Sequence, residues 1–173
     1  MRYKIFTLLF VLLTACRSST GEQEFEALSG KVIAVKDGDT IEILYRGKPL
    51  TVRLAHIDCP EIRRKQPFGT AAKQFTSGLC FGRMVTVQHE NKYDRYKRLI
   101  GVIINERGEN VNKELVRAGY AWHFKQYSDD VSYDKLEKLA RQKRAGLWAD
   151  SNPTPPWEWR VRVVTKKANQ STQ

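Results

Sequence analysis

The 173-residue chain carries 30 Lys and Arg against 19 Asp and Glu, a net charge of +11, with 41% hydrophobic and 10% aromatic residues. That is one domain's worth of chain with enough apolar content for a core, which excludes wholesale disorder and a collagen-like repeat. The one long apolar stretch, residues 5–13 with Thr7 inside it, is far shorter than the ~20 residues of a spanning helix, so a polytopic membrane protein is excluded; the charge excess points to an anionic partner, nucleic acid or lipid.

Arg2 and Lys4 precede that apolar run and small residues follow it, the grammar of a secretory signal. The junction Leu13-Thr14-Ala15-Cys16 resembles the lipobox of bacterial lipoproteins, in which the cysteine is lipidated and becomes the mature N-terminus. An ordinary signal peptide cut nearby is the alternative. Removing residues 1–15 takes away Arg2 and Lys4 and no acids, so the charge falls only from +11 to +9 and belongs to the mature domain. An exported protein, lipid-anchored and facing the periplasm or the cell exterior, is expected. Cys59 and Cys80 then meet an oxidising compartment, where a bridge or two separate buried thiols both remain open.

Residues 16–27 read as a flexible tether, residues 28–150 as the domain and residues 151–173 as an extension. Residues 28–35 are strand-like, Asp37-Gly38-Asp39 is a turn, and residues 40–45 resume a β-branched strand. A second turn, residues 46–49, leads into a third strand over residues 50–57, so the three form a meander. Phe68, Ala71, Ala72, Phe75 and Leu79 make one apolar stripe of a helix that Gly82 ends. Strands follow over residues 84–88 and 98–104. A helix over residues 111–118 stops at Gly119, and a third over residues 133–144 turns Leu136, Leu139 and Ala140 inward and its Lys and Arg outward. Asn152-Pro-Thr-Pro-Pro156 breaks regular structure, and residues 157–164 read as an extended segment that packs back. Five strands with a helix after the third predict an α+β, mainly β chain: a five-stranded OB-fold Greek-key barrel with about three flanking helices.

Acids gather at turns and strand ends in the first half: Asp37, Asp39, Asp58 and Glu61. Hard cations such as Ca²⁺ take carboxylate and backbone carbonyl oxygens, and a meander brings the first turn beside the end of the third strand. Each acid taken singly is also ordinary turn chemistry. Arg53 weighs against that simpler view, because a guanidinium on a largely apolar strand needs a partner or a ligand, and phosphate suits its bidentate geometry. Asp94-Arg-Tyr-Lys-Arg98 adds a second basic group beside a strand start.

Four blocks, Asp37-Gly-Asp-Thr-Ile-Glu-Ile43, Arg53-Leu-Ala-His-Ile-Asp-Cys-Pro-Glu61, Asp94-Arg-Tyr-Lys-Arg98 and Leu115-Val-Arg-Ala-Gly-Tyr-Ala121, closely resemble the staphylococcal nuclease (thermonuclease) family in order and spacing. The resemblance implies a Ca²⁺-dependent phosphodiesterase acting on DNA and RNA, with little base specificity and 3′-phosphate products. It implies Asp39 and Asp58 as carboxylate ligands of Ca²⁺, with Cys59 giving a backbone carbonyl. Arg53, Glu61 and Arg98 are the implied catalytic residues, and Arg95, Tyr96 and Tyr127 the implied substrate contacts. Cys59 stands where the best-known member has Thr, which leaves a carbonyl ligand intact. Lys97 replaces a Gly often found before the second catalytic Arg, which puts the aim of Arg98 in question. The loop over residues 63–67 is short for the family.

Trp122-His-Phe-Lys-Gln-Tyr127 offers aromatic surfaces for unpaired bases, or packing between barrel and last helix; the resemblance implies Tyr127 as the ligand contact, and His123 reads as a structural histidine. Partners are DNA and RNA, plus a membrane through Cys16; no protein partner is inferred, and a monomer is the default. The main alternative is a non-catalytic OB-fold module that binds nucleic acid, but pure binding does not call for this set of acids.

Overall fold

The computed structural model describes residues 26–162. The signal segment, Cys16 and most of the tether lie outside the described residues. Five strands close into a barrel: β1 (Glu26–Asp37), β2 (Thr40–Tyr45), β3 (Lys48–Leu54), β5 (Met84–Tyr93) and β6 (Leu99–Asn105), with a two-residue β4 (Ile57–Asp58) between β3 and the first helix. Neighbours around the barrel run β1, β2, β3, β6, β5 and back to β1, and β3 pairs with β6 in parallel. Counting the long strands in chain order, this is the 1-2-3-5-4 closure of an OB-fold, as the order of elements predicts.

Alternation fills the barrel. Val32, Ile41, Ile43, Val52, Leu54, Val87, Leu99 and Ile103 are buried, and residues between them face outward. β1 carries two register irregularities, between Val32 and Ala34 and between Val35 and Asp37, which bend this long strand from one sheet edge into the next. Helix α1 (Gly69–Cys80) lies against β1, and α2 (Val111–Arg117) sits between β6 and α3 (Val131–Gln142). Asn110 caps α2 by accepting from Lys113 N–H, and Asp130 caps α3 by accepting from Ser132 N–H.

The structure corrects the sequence expectations in three places. The third strand does not run on to residue 57: the chain leaves the barrel after Leu54, and His56 adopts φ 67°. Asn112 Nδ2 donates to the Ala55 carbonyl (2.9 Å) and Phe124 N–H to the His56 carbonyl (2.8 Å), so the bend is held from two sides. It turns β4 out to pair with β7 (Trp122–His123). Second, Leu139 of α3 is exposed, and the buried acid Glu137 takes an inward position, accepting from His123 N–H (2.7 Å) and Arg141 (2.9 Å). Third, residues 156–162 form a helix, α4, rather than an extended segment. Of the two readings left open for the cysteines, the structure takes the second: Cys59 and Cys80 are both free and buried, with no disulfide between them. Burial raises both thiols, Cys80 to about 12, so neither is a ready thiolate.

Gly119, at the end of α2, and Gly146 have φ 74° and 53°, and their backbones touch: a Cβ on Gly119 would meet the Ala145 carbonyl at 2.1 Å. Leu147 N–H donates to the Gly119 carbonyl (2.8 Å), so this contact fastens the end of α2 to the short 3₁₀ turn Gly146–Ala149. A second cluster, Trp122, Ala140, Leu147 and Trp148, with Phe68 and Trp157 against it, closes the molecule beside α3. Among the described residues no helix is long and apolar enough to cross a membrane.

Candidate active site

Three neighbouring strands deliver the site. Arg53 on β3 lies opposite Thr40 on β2 and beside Ile100 on β6, so the first hairpin, the third strand and the segment before β6 meet at one barrel end. The hairpin turn is pinned from below, where Thr76 of α1 donates its hydroxyl proton to the Gly38 carbonyl (2.7 Å). Gly38 has no room for a side chain, since a Cβ would meet Ala72 Cβ and Cys59 Cβ at 2.8 Å.

Arg53 is the hub. Its Nη1 donates to the carbonyls of Leu54 (2.7 Å) and Ile57 (2.9 Å), which fixes one end of the guanidinium in backbone. Nη2 faces Asp39 Oδ2 (3.1 Å) and Asp58 Oδ1 (2.9 Å), so the two carboxylates share one nitrogen. The bend at His56 makes this possible: it returns Asp58 beneath the strand that carries Arg53. Cys59 N–H donates to Asp39 Oδ2 (2.7 Å), tying the two acid-bearing segments together. Burial alone would pull the Arg53 pKa down; the charges of Asp39 and Asp58 overcome it, and the group lies above its ordinary value. Asp58 lies above its ordinary value because burial and Asp39 outweigh Arg53 and Arg160.

Arg98 reaches the same place from the other side. Its Nη1 donates to Thr40 Oγ1 (3.0 Å), and the Thr40 hydroxyl contacts Asp39 Oδ1 (3.2 Å). Asp94 holds the guanidinium through Nε (2.7 Å) and Nη2 (2.6 Å) and accepts from the backbone N–H groups of Tyr96 and Arg98. Lys97 adopts φ 60°, the left-handed conformation that a glycine takes more easily. The Lys for Gly exchange thus keeps the turn at some strain, and Arg98 still points at the site. Arg95 and Arg98 both lie over the ring of exposed Tyr96, at 4.8 and 5.4 Å from its centroid.

Glu61 follows β4 and is oriented by Gln66, whose Oε1 accepts the Glu61 N–H (3.0 Å). Its carboxylate and that of Asp58 are bridged by one further guanidinium, Arg160 of α4: Nη1 to Glu61 Oε1 is 2.6 Å and Nη2 to Asp58 Oδ2 is 2.7 Å. Arg53, Asp39, Asp58, Glu61 and Arg98 therefore converge as expected. Tyr127 does not join them; it is 71% exposed, with its ring on Phe124 at 4.8 Å. The aromatic run is mostly packing, as Trp122 meets Trp148 and Trp157 edge-on. His123 is buried with Nε2 at 3.0 Å from Ser128 Oγ, a structural position.

Two participants lacked an assignment in the sequence. Asp37 is pushed up to about 7 by burial and then by Asp39, and its Oδ1 is buried with no hydrogen-bond partner among the described residues. Arg160 had no signal, because an alternating Arg-Val-Arg-Val segment gives no hint of a return to the acids.

The oxygen donors suit a hard cation. Asp39 and Asp58 present their carboxylates side by side, each on Nη2 of Arg53. Among the described residues no three His, Cys, Asp or Glu side chains are already gathered as metal ligands; the arrangement offers two carboxylates, with Cys59 backbone adjacent and Arg160 on Asp58.

The family described as staphylococcal nuclease homologue matches residues 51–150, from β3 to the turn after α3. The chain belongs to the staphylococcal nuclease family. Among its relatives, an uncharacterised endonuclease of Escherichia coli O157:H7 is 42% identical over 135 residues, 78% of this chain and 86% of the relative. The micrococcal nuclease of Shigella flexneri is 38% identical over 141 residues, 76% of this chain and 79% of the relative. The plant staphylococcal-like nuclease CAN1 of Arabidopsis thaliana is 39% identical over 117 residues, 65% of this chain but 34% of that longer protein. Arg53, Asp58, Glu61 and Arg98 lie within the family match, and Asp37 and Asp39 lie on the hairpin just before it.

Proposed function

We propose that this staphylococcal nuclease family member hydrolyses phosphodiester bonds of DNA and RNA in a Ca²⁺-dependent reaction that leaves 3′-phosphate ends. The observation that carries this reading is the convergence of Arg53 on Asp39 and Asp58, with Glu61 and Arg98 at the same barrel end. Asp39 and Asp58, with the Cys59 backbone carbonyl, are the groups to hold the cation, which when bound neutralises charge on a phosphate oxygen.

The chain's own groups do the rest. Arg53 is fixed at one end by two carbonyls and at the other by Asp39 and Asp58, so its positive charge already stands beside the place a phosphoryl group would take. Arg98, braced by Asp94, approaches from the β6 side, so the two guanidiniums clamp the phosphoryl group and take up the charge that grows as water attacks. Glu61 orients the water or accepts its proton. Exposed Tyr96 with Arg95, and Tyr127 farther out, offer stacking and charge to the flanking nucleotides. Residues 1–16 support an exported protein anchored to a membrane by a lipidated Cys16.

Product analysis on a single-stranded oligonucleotide tests the reading. Fragments carrying 3′-phosphate and 5′-hydroxyl ends are expected, with turnover of Glu61→Gln reduced about 10²-fold or more. Fragments with 3′-hydroxyl ends, or a near-normal rate in that variant, contradict it.

A further inference from the structure

The C-terminal helix α4 lies over the acid site. Arg160 takes one oxygen from each of two carboxylates, Asp58 and Glu61, at 2.7 and 2.6 Å. No other cation of the described residues spans that pair. The position is not the accident of a long side chain, because the helix is tied down on both sides of the arginine. Trp159 Nε1 donates to the Arg64 carbonyl (3.0 Å), and the Arg64 guanidinium donates back to the Arg160 carbonyl. Gln66, whose other amide atom orients Glu61, donates to the Thr154 carbonyl (2.8 Å). Trp157 stacks on Phe124 at 5.3 Å with the planes 8° apart and meets Trp122 edge-on. The strap is thus fastened to the very loop, residues 61–66, that carries Glu61.

Asp58 and Glu61 are the groups the proposed reaction needs free, one for the cation and one for water. A guanidinium on Asp58 Oδ2 competes for the same lone pairs as a divalent cation, and a guanidinium on Glu61 Oε1 occupies an oxygen that would otherwise face water. We infer that α4 is an autoinhibitory strap: Arg160 stands in for the cation and must leave before metal and phosphodiester bind. The inference rests on the reading of Asp39 and Asp58 as cation ligands. The contacts also suit a strap that opens. The described part of the helix, residues 156–162, is short and has little stability of its own, Arg160 is still one-third exposed, and residues 153–155 before it hold no regular structure. The ligand-competent fraction of the protein is the fraction with the strap open, so its apparent cation affinity is reduced in the same proportion.

Titration calorimetry with CaCl₂ on the purified protein and on Arg160→Ala tests this, beside Trp159→Ala, which loosens the strap without touching an acid. Both variants are expected to bind Ca²⁺ more tightly, Arg160→Ala by about tenfold, the gain for a strap closed nine-tenths of the time. In the unaltered protein, Ca²⁺ is expected to speed limited proteolysis after residues 157–162. Equal Ca²⁺ affinity in all three proteins overturns the strap while leaving the cation site standing. Weaker binding in Arg160→Ala overturns it in favour of Arg160 as a builder of the site. Binding in none of them overturns the cation site itself, and the strap with it.

Discussion

Arg53 contacts Asp58 directly and Glu61 is joined to it through Arg160, yet their removal has different consequences. Arg53, its side chain only 13% exposed, compensates two buried carboxylates, so Arg53→Ala leaves Asp39 and Asp58 facing one another in a largely desolvated site. Loss of activity and a destabilisation of about 3–5 kcal/mol are expected together, read by urea unfolding. Glu61 is part-exposed and Gln keeps its backbone contact to Gln66 and an oxygen for Arg160, so Glu61→Gln is expected to lose turnover with its unfolding free energy within about 0.5 kcal/mol of the parent. A parental midpoint in Arg53→Ala, or a strongly lowered one in Glu61→Gln, contradicts these roles.

A second residue-scale prediction concerns pH. Ser128 Oγ lies 2.9 Å from His56 Nδ1 and 3.0 Å from His123 Nε2, and both rings stack near Tyr133. Burial holds both histidines below their ordinary value of 6.5, against the pull of Asp130 and Glu90 on His56 and of Glu137, Asp134 and Asp130 on His123; Lys113 and Lys125 act with burial. Protonation would also leave the buried, unpartnered Nδ1 of His123 as an unpaired donor. The folded state therefore favours the neutral rings. Their stabilisation is complete above pH 6.5 and is lost as pH falls through the depressed folded-state values. An NMR titration of the two ring Cε1 protons is expected to give midpoints below 6.5; midpoints above it contradict this account.

Among the elements, the strands and the first three helices were legible because their periodicity is local. Residues 40–45 and 99–105 alternate cleanly, and Asn110 and Asp130 are ordinary caps. What was hidden came from contacts distant in sequence. The break at Ala55-His56 depends on Asn112 and on Phe124, and no local residue announces it. The helix at residues 156–162 was masked by alternating Arg and Val, although Pro156 at its first position and the Glu158–Arg162 pair (3.3 Å) are helix signals that carry more weight. Leu139 fell outward because Glu137 was drawn inward by His123 N–H. The contact between Gly119 and Gly146 belongs to this scale as well. Gly119→Ala forces a side chain into positive φ and into the Ala145 carbonyl, so a loss of more than about 1 kcal/mol is expected by urea unfolding. An unchanged midpoint would mean that this junction does not hold α2 in place.

For the whole molecule, the cluster proposed to hold cation and phosphate was legible as a group because a meander and a parallel β3–β6 pair bring together Asp39, Arg53, Asp58, Glu61 and Arg98 from separate blocks of the chain. Arg160 was not, because its place depends on how the last described segment folds back over residues 61–66. The excess of basic residues, +11 for the whole chain, predicts that binding of DNA weakens steeply with salt, with a log–log slope set by the number of phosphates neutralised. The most direct test of the account is degradation of single-stranded DNA by the purified protein in Ca²⁺, in Mg²⁺ and in chelator, beside Asp39→Ala. Cleavage confined to Ca²⁺ and lost in Asp39→Ala is the predicted result; DNA that stays intact in Ca²⁺ yet is retained in a gel shift would contradict a nuclease and leave a binding module.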